Sequence, residues 1–295
     1  MTTTAHRDCA VRGARRGIVP VACGGDVKAA ESGGKARFGA ELRAQRAARG
    51  WTQVQLGKKL GYSDSFVSDI ENANRTASED FAKRSDEVFG LPGTFLRHWE
   101  DLEREAFPTW FAPIVPIERE SAKIAGWEPS AVPGLLQTDR YARALIRARR
   151  PQDDEETVER TVQARMDRQS TLTRPKPPMC WWVLSEGVLR QVVGGPDVMG
   201  DQLDRLIKAA EAPGAIIQVL PFSAHDHAGT DGLLHLYERP GQPVVAYTEC
   251  IGGARLIEDP QEISDLTTVM GMLRAAALSR TDSVALMRAI RRDLG

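Results

Sequence analysis

The residues in this 295-residue chain best suited to metal or acid–base chemistry are His225, Asp226 and His227, with His235, Glu249 and Cys250 downstream. Two histidines two positions apart on an extended loop can share a zinc ion. Nothing in the spacing fixes a third or fourth ligand, and an aspartate between the two histidines is ordinary loop chemistry. No metal is therefore expected. Ser185-Glu186 and Cys180 lack a base and an orienting group at a spacing that would activate them, so no enzyme activity is expected either. Val193-Gly194-Gly195-Pro196 reads as a turn, and the Gly-rich phosphate loop ending in Gly-Lys-Ser or Gly-Lys-Thr is absent from the sequence. What this region offers is a ligand pocket lined by Trp182, His227, Tyr247 and Glu249, with no cofactor implied. Arg160, Arg165 and Arg168 share one helix face and read as solvated.

The N-terminal third carries a different kind of signal, built from spacing. Phe38 and Leu42 form one apolar face of a helix over about 38–49, and Gly50 supplies its left-handed stop. Thr52 is placed to cap a second helix, 53–60, which buries Leu56 and Leu60. Gly57 leaves room for a neighbouring helix, and Gly61 allows a tight turn. A third helix, 63–72, turns Val67 and Ile70 inward. That order of constraints is the spacing of a helix-turn-helix, a device for laying one helix in the major groove of DNA.

Net charge of −1 for the chain looks unsuited to that role until it is divided by region. Between Lys35 and Thr76 there are 8 basic and 4 acidic residues, a local charge of +4. Phosphates feel the local value, because salt screens charges beyond about 10 Å.

Four widely scattered cysteines, Cys9, Cys23, Cys180 and Cys250, form no CxxC pair, which argues against a zinc knuckle or a secreted disulfide framework. No stretch approaches the roughly 20 apolar residues of a membrane span, and the N-terminus lacks the apolar core of a signal peptide. A cytoplasmic protein without membrane contact is expected.

The elements around these residues fall into three regions. Residues 1–34, rich in Gly, Ala, Thr and basic residues without periodicity, read as a disordered arm. Residues 35–106 hold the helix-turn-helix followed by helices over 79–89, capped by Ser78, and from Thr94 towards Glu105. In 107–295 helices are expected at 138–149, 154–171, 197–212 and over the last 35 residues. Strands are expected at 180–184, 215–220, 233–237 and 244–248, giving an α+β domain with an antiparallel sheet.

Trp51-Thr52-Gln53 through Ile70-Glu71-Asn72 resembles the lambda-repressor-like (XRE-type) DNA-binding domain, a five-helix all-α fold. Val132-Pro133-Gly134-Leu135-Leu136-Gln137-Thr138, Arg165-Met166-Asp167-Arg168-Gln169 and Val219-Leu220-Pro221-Phe222 resemble the C-terminal domain of actinobacterial WhiJ-like regulators and toxin–antitoxin-like antitoxins. The first resemblance implies that Gln53 anchors a phosphate and that Asp64, Ser65 and Asp69 face base edges. It also implies that Ser63 and Arg75 sit near phosphates, that Arg43 and Lys58 or Lys59 add general attraction, and that Arg46 and Glu71 form a structural salt bridge between the first and third helices. Relatives carry Gln, Asn, Arg or Lys at the reading positions, so two aspartates there are a departure. Asp accepts from cytosine N4 but repels phosphate. The resemblances together imply a sequence-specific transcriptional regulator that binds double-stranded DNA as a homodimer, its C-terminal domain receiving a partner protein or small signal. The alternative is an antitoxin-like protein that binds a small partner, with DNA binding as autoregulation.

Overall fold

The computed structural model describes residues 27–105, 107, 110–250 and 253–294. Of the arm expected at 1–34, residues 1–26 lie outside the described residues, and the remainder is helical. The first helix, α1 (Val27–Ala48), starts well before the apolar pattern that marks it in the sequence.

Four short helices follow: α2 (Gln53–Leu60), α3 (Asp64–Glu71), α4 (Glu79–Phe89) and α5 (Thr94–Glu105). Their limits are set by local chemistry. Thr52, Ser63 and Ser78 each accept a backbone N–H three residues on, satisfying a donor that the first turn leaves unpaired. Gly61 and Gly90 end α2 and α4 at φ 78° and 68°, where a side chain would be strained. Asp86 caps the first turn of α5 from a distance, its two carboxylate oxygens each accepting at 2.9 Å from the N–H groups of Phe95 and Leu96. The core joins Phe38, Leu42, Leu56, Leu60, Val67, Ile70, Phe81, Phe89 and Phe95.

Two glycines fix how closely these helices meet. A Cβ at Gly39 would lie 2.4 Å from the carbonyl oxygen of Ile70, so α1 touches the end of α3 backbone to backbone. A Cβ at Gly57 would lie 2.6 Å from the carbonyl oxygen of Tyr62. The neighbour that Gly57 admits is thus the turn after its own helix.

The C-terminal part is built on one six-stranded sheet in the order β3-β2-β1-β4-β5-β6. Its strands are β1 (Lys123–Glu128), β2 (Met179–Ser185), β3 (Ala215–Leu220), β4 (Leu233–Glu238), β5 (Val245–Cys250) and β6 (Gly253–Ile257). Helix α6 (Ile114–Glu120) precedes β1. Helices α7 (Asp139–Arg149) and α8 (Glu155–Arg168) cross from β1 to β2. Helices α9 (Glu186–Arg190) and α10 (Pro196–Glu211) cross from β2 to β3, and α11 (Pro260–Ala276) and α12 (Arg280–Asp293) close the chain. The α+β architecture is as expected, but the sheet is mixed. β4, β5 and β6 add antiparallel, whereas β1, β2 and β3 run parallel. Parallel neighbours require long crossovers, which the helical segments 139–168 and 186–211 supply.

The two faces of the sheet are covered differently. Trp182, Leu184, Ile217, Val219, Tyr237 and Tyr247 belong to one core with α6, α7, α10 and α12 on one side. Trp127, Val183, Leu234, Leu236 and Ala246 lie under α11 on the other. Gly126 pairs with Trp182 on β2 and His235 on β4, and both rings lean across it. A Cβ there would meet Trp182 ring carbons at 2.1 and 2.3 Å and the His235 ring at 2.9 Å.

Gly126→Ala is therefore expected to destabilise the protein by about 1–3 kcal/mol or more through overpacking. Urea unfolding followed by tryptophan fluorescence checks it, and an unchanged midpoint would contradict this packing.

Candidate nucleic-acid interface

The helix-turn-helix is held in shape by one buried carboxylate. Glu71, at the end of α3, has no exposed side-chain surface. Arg46 of α1 donates to it twice, Nε to Oε1 at 2.5 Å and Nη2 to Oε2 at 2.8 Å. Gln53 of α2 donates its Nε2–H to Oε2 at 3.0 Å, and the Arg43 Nε lies 3.7 Å away. Three helices thus converge on one side chain. Burial alone would raise the Glu71 pKa; hydrogen bonds from Arg46 and Gln53 and the charges of Arg46 and Arg43 overcome it and hold the carboxyl below its usual range. Arg46 also donates to the carbonyl oxygen of Trp51 at 2.9 Å, fixing the turn between α1 and α2.

With Val67 and Ile70 turned into the core, the opposite arc of α3 faces out. Asp64 and Ser65 are exposed, and Ser68 and Asp69 are half-buried. Ser63 caps the helix, its Oγ accepting from Phe66 N and lying 3.0 Å from the Ser65 Oγ. Basic groups lie on α1, α2 and the segment after α3. Lys58 is exposed on α2, and the Arg75 guanidinium rests on the Phe66 ring at 4.9 Å. Arg43 donates to Asn72 Oδ1 at 2.6 Å and to the Glu71 carbonyl oxygen at 3.2 Å. Gln53 is half-buried with one amide N–H held by Glu71, so its free capacity is smaller than the sequence suggested. Ser68 and Asn72 escaped the sequence reading. They lie one and two turns beyond Asp64 and Ser65 on the same side, a position that helical spacing alone could have given.

The C-terminal pocket expected from Trp182, His227, Tyr247 and Glu249 is not assembled. Trp182 and Tyr247 are each 1% exposed and belong to the core that includes α10 and α12. His227 packs on Trp127, 5.8 Å between ring centroids, and Trp127 belongs to the opposite face. The loop carrying His227 folds over that face, where the Trp127 indole N–H donates to the Gly229 carbonyl oxygen at 3.1 Å. Only Tyr247 and Glu249 meet, the hydroxyl donating to Oε2 at 2.9 Å.

Other polar groups converge instead. His235 lies between Glu128, 2.9 Å from its Nε2, and the Tyr237 hydroxyl, 3.1 Å from its Nδ1, all three inside the fold. Burial pushes the Cys180 thiol up to about 12, which leaves it a thiol at neutral pH.

Residues 37–99 match a family model described as a helix-turn-helix domain. Residues 111–289, more than half of the chain, match that of a domain of unknown function, DUF5753. The chain belongs to the DUF5753 family. No curated protein and no solved structure matches it. Among the described residues of this DUF5753 protein, no helix is long and apolar enough to cross a membrane.

The basic face of α8 in the DUF5753 domain also differs from expectation. Arg168 is 8% exposed, 3.2 Å from Glu118 of α6 and 4.6 Å above the Phe111 ring. Arg165 is half-buried and donates to Gln137 Oε1 at 2.9 Å. Helical spacing gave their shared face but not the elements, α6 and the 132–138 segment, that close over it.

Glu71→Gln is expected to cost about 3–5 kcal/mol at pH 7, since it leaves the Arg46 charge without its partner. The lower figure is favoured because the Arg46 side chain keeps 17% of its surface exposed. A carboxyl with a depressed folded-state pKa stabilises above its unfolded value of about 4.3, and the contribution fades as pH falls through the folded value. The gap between wild type and variant, measured by urea unfolding at several pH values, should accordingly shrink below about pH 4. A gap independent of pH would assign the cost to something other than the charge.

Proposed function

We propose that this chain is a sequence-specific transcriptional regulator that acts by binding, as a homodimer on double-stranded DNA in the cytoplasm. Its DUF5753 domain receives a partner protein or a small signal. The observation that carries the reading is the outward arc of α3. Asp64 and Ser65 stand exposed at its N-terminal end and have no part in holding the core.

In this reading α3 enters the major groove and its first two turns read base edges, while the N-terminus of α2 meets the backbone. Asp64, Ser65 and Asp69 are the base-facing residues, joined by Ser68. Each aspartate suits cytosine N4 and disfavours a nearby phosphate, so selectivity comes at the expense of affinity. Lys58, Arg75 and Arg43 supply the compensating attraction, and Ser63 and the remaining amide N–H of Gln53 contact phosphate oxygens. A single short helix covers few base pairs, which is the argument for two copies on paired half-sites.

The test is fluorescence anisotropy on the DNA upstream of the chain's own gene against scrambled DNA, over a salt series. A preference of about 10³ or more is expected. Ser65→Arg should abolish the preference while keeping affinity. Arg75→Ala should weaken both DNAs alike and lower the salt slope by about 1. Equal binding to both DNAs by the wild-type protein at every salt concentration would remove the sequence-specific reading.

A further inference from the structure

We propose that the DUF5753 domain binds a small molecule through an oxyanion, a carboxylate or a phosphate, held at the Arg165 guanidinium where α8 faces the ends of α7 and β5. The inference does not rest on DNA binding, and its test leaves that reading untouched.

Four guanidiniums gather in this part of the domain, and three have a carboxylate. Arg168 lies 3.2 Å from Glu118, Arg149 lies 3.3 Å from Glu249, and Arg150 lies 3.7 Å from Asp153. Arg165 is the exception. Among the described residues its partner is the neutral Gln137, whose Oε1 accepts from it at 2.9 Å. That acceptor is itself fixed: Gln137 is 3% exposed, and its Nε2 donates to the Val132 carbonyl oxygen at 2.7 Å. Arg165 is thus aimed by a rigid group that offers it no charge.

The surroundings make this arrangement costly. Desolvation, then the charges of Arg168 and Arg149, pull the Arg165 pKa down to about 10; the Glu249 carboxylate opposes them, and Arg150 adds to them. The group still carries its full charge at pH 7. A desolvated cation with three like charges around it, no carboxylate in hydrogen-bond contact and only the Glu249 charge, already bound to Arg149, to offset them works against folding. An anion bound there would reverse the sign, because Arg165 would gain a partner and its neighbours would cease to repel it.

The site is also reachable from solvent on its Arg149 side. Arg165 keeps part of its surface accessible, and the Arg149 side chain is 63% exposed. A single bond of 3.3 Å to Glu249 leaves most of the Arg149 fork available. Tyr247 donates to the other oxygen of Glu249 at 2.9 Å and holds that carboxylate in place. Burial, and then Glu249 itself, keep the Tyr247 hydroxyl protonated for this purpose. Phe111, edge-on to Tyr247 at 5.8 Å, offers an apolar wall to the rest of a ligand. Two planar guanidinium forks suit a carboxylate or phosphate better than any halide.

The experiment is thermal unfolding of the full chain at pH 7.5 and constant ionic strength. Chloride is replaced stepwise by inorganic phosphate in one series and by citrate in another. The melting temperature should rise with the logarithm of the concentration of at least one of them. A response to phosphate alone or to citrate alone identifies which oxyanion the site takes. Arg165→Gln should lose the response. Arg149→Gln, at a largely exposed position, should need about tenfold more anion for the same rise. Arg140→Gln, which only breaks a surface pair with Asp201, should respond like the wild type. Phosphate and citrate also stabilise proteins non-specifically, so the comparison between variants decides. No response to either anion in the wild type would overturn the proposal. So would an undiminished response in both Arg165→Gln and Arg149→Gln, and the second variant alone decides if the first does not fold.

Discussion

The geometry of the N-terminal domain depends on where one buried carboxylate finds its partners. Glu71 closes α3, and its oxygens receive hydrogen bonds from α1 and α2 at once. That convergence fixes the rotation of α3 about its axis, because the last turn cannot roll without breaking three donors. The rotation in turn decides which residues of the helix face out. Val67 and Ile70 contribute the apolar part of the same constraint, and Gly39 lets α1 approach until backbones touch. Packing and charge agree on a single orientation, which a surface meant to meet another molecule requires.

Most of this domain was legible in the sequence because its signals are local. Thr52 and Ser78 lie next to the helices they cap, and Gly61 lies next to the one it ends; the Ser63 cap and the Gly90 stop are equally local but were not singled out. The C-terminal sheet was read less well. β1, KIAGWE, is one of its two central strands, yet it presents lysine, glycine and glutamate where an apolar run would mark a buried strand. Gly126 is there because two rings from neighbouring strands need its space, a requirement that exists only after β2 and β4 are paired. The parallel pairing of β1, β2 and β3 was hidden for the same reason. Nothing within a strand records which direction its neighbour runs, and the segments 139–168 and 186–211 reveal it only as crossovers.

The candidate sites divide along the same line. The resemblance placed Asp64 and Ser65 on the outer side of the third helix, and both are exposed there. Gln53 was placed correctly on α2, but its hydrogen bond to Glu71 spans 18 residues and left no local trace. His227 and Trp182 looked like neighbours by chemistry, and the sheet separates them. Residues that alternate along a strand go to opposite faces, so a pocket inferred across strands is undone by one step of register.

Each half of the chain buries charge, and the contrast between the two cases is informative. Glu71 is enclosed and fully answered, with Arg46, Gln53 and Arg43 around it, and its pKa moves in the direction that favours the ion. Arg165 is half-buried and left with a neutral acceptor, and its pKa moves in the direction that disfavours the ion. The first pattern is what a fold produces when a charge serves its own stability. The second is a standing cost, close to Arg149 and to the tyrosine–glutamate pair on β5. Folded chains carry such costs mainly where another molecule relieves them. The physics that makes Glu71 a keystone therefore marks Arg165 as a group whose partner comes from outside the chain.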